Sequence, residues 1–144
     1  MTIQKSEQSG EEDPEDGRRV DARGQIKAAM ADLRRLTDVV AVAIARRDGL
    51  LIAHDLPKEV DPKKAAAMTA AIVGTSEMAA GELGQGRFLQ AIVDSEFGKM
   101  LSTGAGEEAL LVTLVRPEAN MGLVLLGVER AARRIAAILS QEGT

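Results

Sequence analysis

The chain of 144 residues contains no cysteine, tryptophan or tyrosine, and only two phenylalanines and one histidine. The absence of cysteine excludes disulfide bonds, thiolate catalysis and cysteine-ligated zinc. Phe88 and Phe97 alone cannot form the aromatic platform on which single-stranded nucleic acids stack. A formal net charge of −4 also argues against a polyanionic partner for the protein as a whole. We therefore expect no nucleic-acid partner.

Sequence patterns for catalysis and cofactor binding are also missing. His54 stands beside Asp55, but no plausible nucleophile accompanies this pair, so a solvated histidine is the simpler interpretation. No repeated spacing of His, Asp and Glu indicates a metal site. Residues 81–88 (GELGQGRF) have the glycine spacing of a phosphate-binding loop, but Arg87 and Phe88 replace its lysine and its magnesium-binding hydroxyl residue. We predict no catalytic residue, no metal and no cofactor, and hence no enzyme.

The chain divides into a polar N-terminus and one domain. Residues 1–19 are acidic and almost free of apolar side chains, which predicts a disordered tail. Residues 20–144 have the length and composition of a single globular domain. The N-terminus has no apolar core of a secretory signal, so a cytoplasmic protein is expected. The apolar run at 65–81 contains Thr69 and Glu77 and falls short of a bilayer span, so no membrane insertion is expected.

Hydrophobic patterns predict the element order α-β-β-α-β-β-β-α. The predicted helices cover residues 21–36, 62–83 and the segment from Asn120 onward, and the predicted strands cover 38–45, 50–54, 87–94, 99–103 and 109–115. The start of the last segment, MGLVLLGV, is also compatible with a strand, although Asn120 as an N-cap favours a helix. The simplest assembly is an α+β fold with a five-stranded antiparallel sheet and helices on its faces. The strands at 38–45 and 109–115 are apolar on both faces and are placed centrally, whereas the polar positions of 87–94 indicate an edge.

The helix predicted at 62–83 is the most informative segment. Asp61 can cap its N-terminus, Pro62 suits its first position and Gly84 can end it. Between 65 and 81 only Glu77 is charged. One apolar face comprises Ala65, Met68, Ile72, Ala79 and Leu83, and we expect this face to lie on the sheet of the same chain. A helix that is apolar nearly all round is buried on two sides.

The second face of this helix consists of small residues that allow close approach of another backbone. We predict that it meets a second copy of the chain together with the edge strand. The predicted dimer interface comprises Ala67, Ala70, Ala71, Gly74, Met78, Arg87, Leu89, Ala91 and Val93. The alternative is a monomer in which other elements of the same chain cover both faces.

Four segments together resemble the roadblock family. They are the hairpin ARRDGLLIAHDL, the alanine-rich helix, the turn in SEFGKMLS and the segment PEANMGLVLLGVERAARRIA, with Asp48-Gly49, Gly98, Asn120 and Gly122 at the matching positions. The resemblance covers residues 21–140. The family comprises roadblock-type dynein light chains and prokaryotic relatives that regulate Ras-like GTPases.

The resemblance implies a profilin-like α/β fold whose homodimer shares one continuous sheet through the second helix and third strand. It also implies a non-catalytic role, so we expect a homodimeric regulator of a small Ras-like GTPase. Two alternatives remain open: a pure scaffold without effect on GTP turnover, and a small-molecule sensor that would need a pocket lined with polar groups.

Overall fold

Five antiparallel strands form one sheet in the computed structural model, which describes residues 14–143 and the side chains of residues 21–141. The helices are α1 (Pro14–Arg34), α2 (Pro62–Glu82) and α3 (Met121–Gly143), and the strands are β1 (Val39–Arg46), β2 (Leu51–Asp55), β3 (Gln90–Ser95), β4 (Gly98–Ala105) and β5 (Ala109–Val115). Their order across the sheet is β2-β1-β5-β4-β3. The predicted element order, the inner positions of β1 and β5 and the edge position of β3 are confirmed.

The main core lies between the sheet and the layer formed by α1 and α3. Val42 and Ile44 of β1 point to this side, and Ile44 is aligned with Leu111 of β5. The two helices contribute Ala22, Ile26, Ala29, Met30, Leu33, Val124, Val128, Ala131, Ile135 and Ile138. This spacing gives each helix one apolar stripe. The helices approach closely at Gly127 of α3, where a Cβ atom would lie 3.3 Å from Cδ1 of Leu33 in α1 and 2.7 Å from Cδ1 of Leu36, just after that helix.

Helix α2 covers the opposite face of the sheet. Ala41, Ala43 and Ala45 alternate with the core residues of β1 and are almost fully buried, because successive side chains of a strand point to opposite faces. Helix α2 contacts all five strands and therefore crosses the sheet. Coverage of both faces explains why β1 and β5 have continuous apolar sequences rather than alternating ones.

The structure changes two predicted boundaries. Helix α1 begins at Pro14, earlier than Asp21, and so includes six residues of the predicted tail; residues 1–13 of that tail lie outside the described residues. Proline suits a first helical position because it has no N–H group to leave unpaired there. Strand β3 begins at Gln90 rather than at Arg87, because the chain first turns through Gly84 and Gly86, which have φ of 68° and 87°.

The ambiguous final segment is helical from Met121. The side chain of Asn120 accepts a hydrogen bond from the N–H of Leu123 at 3.2 Å, and the carbonyl of Asn120 accepts the first helical bond from Val124 at 3.0 Å. Asn120 is therefore the N-cap, as predicted.

Candidate interaction surface on α2 and β3

Local signals define both ends of α2. The carboxylate of Asp61 accepts hydrogen bonds from the N–H groups of Lys63 and Lys64 at 3.0 and 3.3 Å, and Pro62 begins the helix. At the other end the N–H of Gln85 reaches the carbonyl of Ala80 at 2.8 Å, with Gly84 in a left-handed conformation between them. This is the glycine-terminated C-cap that the sequence predicted.

The sheet-facing side of α2 differs from the first apolar face described above. The helix buries Ala66, Thr69 and Val73 against the sheet. Met68 and Leu83, which belong to that first face, are 58% and 71% exposed. The expectation that this face lies on the sheet was therefore wrong. Because α2 is apolar nearly all round, periodicity could not identify the buried side.

Thr69 occupies a buried position because its hydroxyl is already paired. It donates a hydrogen bond to the carbonyl of Ala65 in its own helix at 2.8 Å, so burial leaves no unpaired polar atom on this side chain. Ser76 makes the same bond to Ile72 at 2.7 Å. Because these hydroxyls are paired within the helix, Thr69 can lie on the packed side of α2 and Ser76 near it, while apolar residues of the same helix are exposed to solvent.

The outward side of α2 is an exposed apolar surface. It consists of Ala67, Met68, Ala71, Thr75, Met78 and Ala79, and Met78 is 71% exposed. We call these six residues the outward face of α2. A contiguous exposed apolar surface of this kind is typical of a protein–protein contact. Met68, Thr75 and Ala79 were not among the predicted interface residues.

Strand β3 continues this surface to the edge of the sheet. It pairs only with β4 among the described strands, through a register that aligns Ile92 with Leu101. Val93, which lies on the α2 side of the strand, is 41% exposed, whereas Ile92, which shares the α1/α3 side with Leu101, is 44% exposed. The strand contains no proline, and Asp94 is its single charged residue, although edge strands commonly carry such features to prevent pairing with another chain. The edge can therefore accept another strand.

The predicted interface residues are accessible in the single chain. The exposed ones are Ala67, Ala71, Met78, Arg87, Leu89 and Val93, and the half-buried ones are Ala70, Gly74 and Ala91. Arg87 and Leu89 lie in the loop before β3 rather than in the strand. A Cβ atom at Gly74 would meet no heavy atom within 4 Å, so the chain itself leaves space at this position.

The β1–β2 turn packs against α2 and holds it in place. A Cβ atom at Gly49, which has φ of 95°, would lie 3.6 Å from Cα of Ala67. Arg47 donates to the carboxylate of Glu77 at 2.7 Å and to the carbonyl of Gly106 at 3.4 Å. Sequence reasoning treated Arg47 as surface charge, and nothing in the linear pattern links it to a helical residue 30 positions away.

The His54–Asp55 pair does not stand alone at the end of β2. Asp55, which stands next to His54, pairs instead with Arg34 at 2.6 Å. No group of three or more His, Cys, Asp or Glu residues within the described range could hold a metal ion. Among the described helices, none is both long and apolar enough to cross a bilayer.

Comparison with known proteins assigns this fold. The family model for the Roadblock/LC7 domain matches residues 26–115. The uncharacterized protein MJ1340 of Methanocaldococcus jannaschii is 34% identical over 113 residues, which cover 78% of this chain and 98% of that protein.

Solved structures agree with the family match. A structure of MglB with a tetrameric arrangement has a TM-score of 0.78 at 26% identity and covers 84% of this chain and 92% of its own. The gliding protein MglB from Thermus thermophilus has a TM-score of 0.76 at 25% identity, with coverage of 83% and 92%. Profilin II of Acanthamoeba castellanii, at 15% identity with a TM-score of 0.53 over 74% of this chain and 92% of its own, shows that the fold is profilin-like.

Proposed function

This chain belongs to the Roadblock/LC7 family, and we propose that it is a non-catalytic, homodimeric regulator of a small Ras-like GTPase. The observation that carries the proposal is the exposed apolar surface formed by the outward face of α2 and the open edge of β3. The roadblock resemblance supplies the class of partner.

The dimer pairs β3 of one protomer with β3 of its partner. Two identical strands that are related by a two-fold axis perpendicular to the sheet pair in antiparallel fashion. The same face of the sheet in both protomers then points to the same side of the dimer. The two copies of α2 then lie on one side of a continuous sheet. The tetrameric arrangement of one MglB structure supports self-association within this fold.

The GTPase contacts the part of the outward face that remains exposed in this dimer. Met68, Thr75 and Ala79 are exposed and lie outside the predicted dimer interface. A regulator must bind the GTP and GDP states with different affinities, because only differential binding shifts the equilibrium between them. Ordering of the GTPase switch segments is the simplest route to such a difference.

The arginines near the β1–β2 turn do not supply the chemistry. Arg47 is held by Glu77 and Gly106, and Arg46 pairs with Asp48 at 2.6 Å. An arginine that reaches a phosphoryl-transfer transition state contributes roughly 10³-fold or more to the rate. We expect Arg46→Ala and Arg47→Ala each to change stimulated hydrolysis by less than about tenfold, well below that figure.

The test uses a Ras-like GTPase from the same genome, loaded with GDP or a non-hydrolysable GTP analogue and titrated by calorimetry. We expect different affinities for the two states and no binding of free GTP or ATP to the regulator alone. Met68→Glu should weaken the complex at least tenfold, whereas Leu126→Glu, an exposed leucine on the other side of the sheet, should not. Equal affinities with unchanged hydrolysis would contradict regulation and favour a scaffold.

A further inference from the structure

The side of the molecule opposite α2 carries an excess of positive charge. Within the described side chains, residues 21–36 and 121–141 contain seven basic and three acidic residues, although the full chain has a net charge of −4. The basic residues are Arg23, Lys27, Arg34, Arg35, Arg130, Arg133 and Arg134, and the acidic ones are Asp21, Asp32 and Glu129. These two helices therefore carry a local excess of positive charge within the described side chains.

Part of this positive charge lies around a cleft of about 280 Å³ between α1 and α3. Leu33, Leu36 and Ala131 provide apolar lining, and the exposed residues Arg35 and Arg130 flank it together with Arg134 and Asp32. Gly127 also lines the cleft, where it accommodates Leu36. Its size suits one or two side chains of a partner rather than a complete small molecule.

The charges in this cleft are not balanced. Asp32 is the single acidic residue of its lining and already accepts from Arg134 at 2.6 Å. Arg35 and Arg130 form no ion pair with another described residue. Each guanidinium retains the donor geometry that matches a carboxylate in a bidentate pair.

We propose that the cleft between α1 and α3 binds an acidic peptide segment of a partner protein. One carboxylate of the segment pairs with Arg35, a second with Arg130, and an apolar side chain between them contacts Leu33 and Leu36. Charge complementarity supports this occupant. A flat anionic bilayer would contact the rim of the cleft but leave its apolar lining empty.

The acidic run directly before α1 cannot supply this segment in cis. The contiguous acids Glu11, Glu12 and Asp13 lie within three residues of Pro14 and extend at most about 11 Å from it. Along α1, Asp32 lies about 27 Å from Pro14. The acidic run therefore cannot reach the cleft in its own protomer.

This site and the outward face of α2 lie on opposite sides of the sheet. Both can be occupied at once, so the protein would link a partner on α2 to an acidic partner on α1 and α3. The cleft itself does not depend on the proposed GTPase function. Binding of an acidic segment and binding of a GTPase are separate measurements, and failure of one leaves the other intact.

The probe is the peptide DELEDLEE, blocked at both ends, with its neutral counterpart NQLQNLQQ as the control. Titration into isotope-labelled protein should shift the amide signals of Leu33, Gly127 and Ala131 with the acidic peptide only. Affinity should fall as salt shortens the screening length from about 10 Å at 0.1 M to about 3 Å at 1 M. Equal shifts with both peptides would overturn the proposal.

The matched variants are Arg35→Glu with Arg130→Glu, and Arg116→Glu as an exposed arginine outside the cleft. The double variant should bind the acidic peptide at least tenfold more weakly, whereas R116E should bind it as the wild type does. Arg35→Gln with Arg130→Gln removes the positive charge without adding a negative one and should also weaken binding. Thermal unfolding verifies that all variants are folded. Equal loss in R116E, or cleft-dependent binding of phosphatidylserine vesicles without peptide binding, would contradict the peptide site.

Discussion

Replacement of Gly74 by leucine separates stability of the fold from stability of the proposed dimer. A Cβ atom at Gly74 meets nothing within 4 Å in the single chain, so the first atom of a new side chain has open space there. Leucine is also a better helix former than glycine, by roughly 0.5–1 kcal/mol. Gly74→Leu should therefore leave the protomer as stable as the wild type, or slightly more stable.

The same substitution should weaken the dimer. Overpacking a close contact costs about 1–3 kcal/mol, and a two-fold interface contains the site twice, so the total is about 2–6 kcal/mol. At 1.4 kcal/mol per tenfold change, the dissociation constant should rise roughly 30-fold to 10⁴-fold. Gly74→Leu should therefore leave the stability of the protomer unchanged or slightly raised while it weakens the association of the two protomers.

Light scattering coupled to size exclusion, over a range of concentrations, measures the assembly. The wild type should have about twice the 15.2 kDa mass of the chain. Gly24→Leu is the matched control, because Gly24 is an exposed helical glycine in α1 that also has no neighbour within 4 Å. A wild-type monomer at tens of micromolar would refute the dimer. A dimer equally stable in Gly74→Leu and Gly24→Leu would show that Gly74 lies outside the interface.

Two further predictions concern stability of the fold and are read from urea unfolding. Ile135→Ala removes a fully buried side chain of α3 and should lower the free energy of unfolding by about 2–5 kcal/mol. Leu126→Ala, on the exposed side of the same helix, should change it by less than about 0.5 kcal/mol. Similar losses in both variants would contradict the core assignment. Asp61→Ala removes the acceptor of two N–H groups at the start of α2 and should lower the free energy of unfolding by about 1 kcal/mol. Asp61→Asn keeps an acceptor, so this control should retain most of the wild-type stability.

Several features were predictable because their causes are local. Asp61, Pro62 and Gly84 act within a few residues of the helix ends, so the limits of α2 follow from capping chemistry alone. In the same way, the capping side chain of Asn120 indicated that the final segment is a helix rather than a strand. The inner positions of β1 and β5 followed from their continuous apolar sequences, because a strand with both faces covered needs no polar alternation.

Other features depend on contacts between distant segments. The rotation of α2 on the sheet was mispredicted because its apolar residues surround the helix. Only the packed structure distinguishes Val73, which is buried, from Met68, which is exposed. The start of β3 was missed because Arg87 and Leu89 can belong to a strand or a loop, and turns at preceding glycines decide between them.

The sequence by itself determined the element order, the helix ends, the inner strands and the roadblock resemblance, since each rests on periodicity, capping or motif order. The tertiary structure alone decided which side of α2 is left exposed and which charges become neighbours. Arg35 and Arg130 are 95 positions apart in the sequence, and they flank one cleft because α1 and α3 pack together on the same face of the sheet. Packing of whole elements fixes such pairs, and no local pattern contains that information.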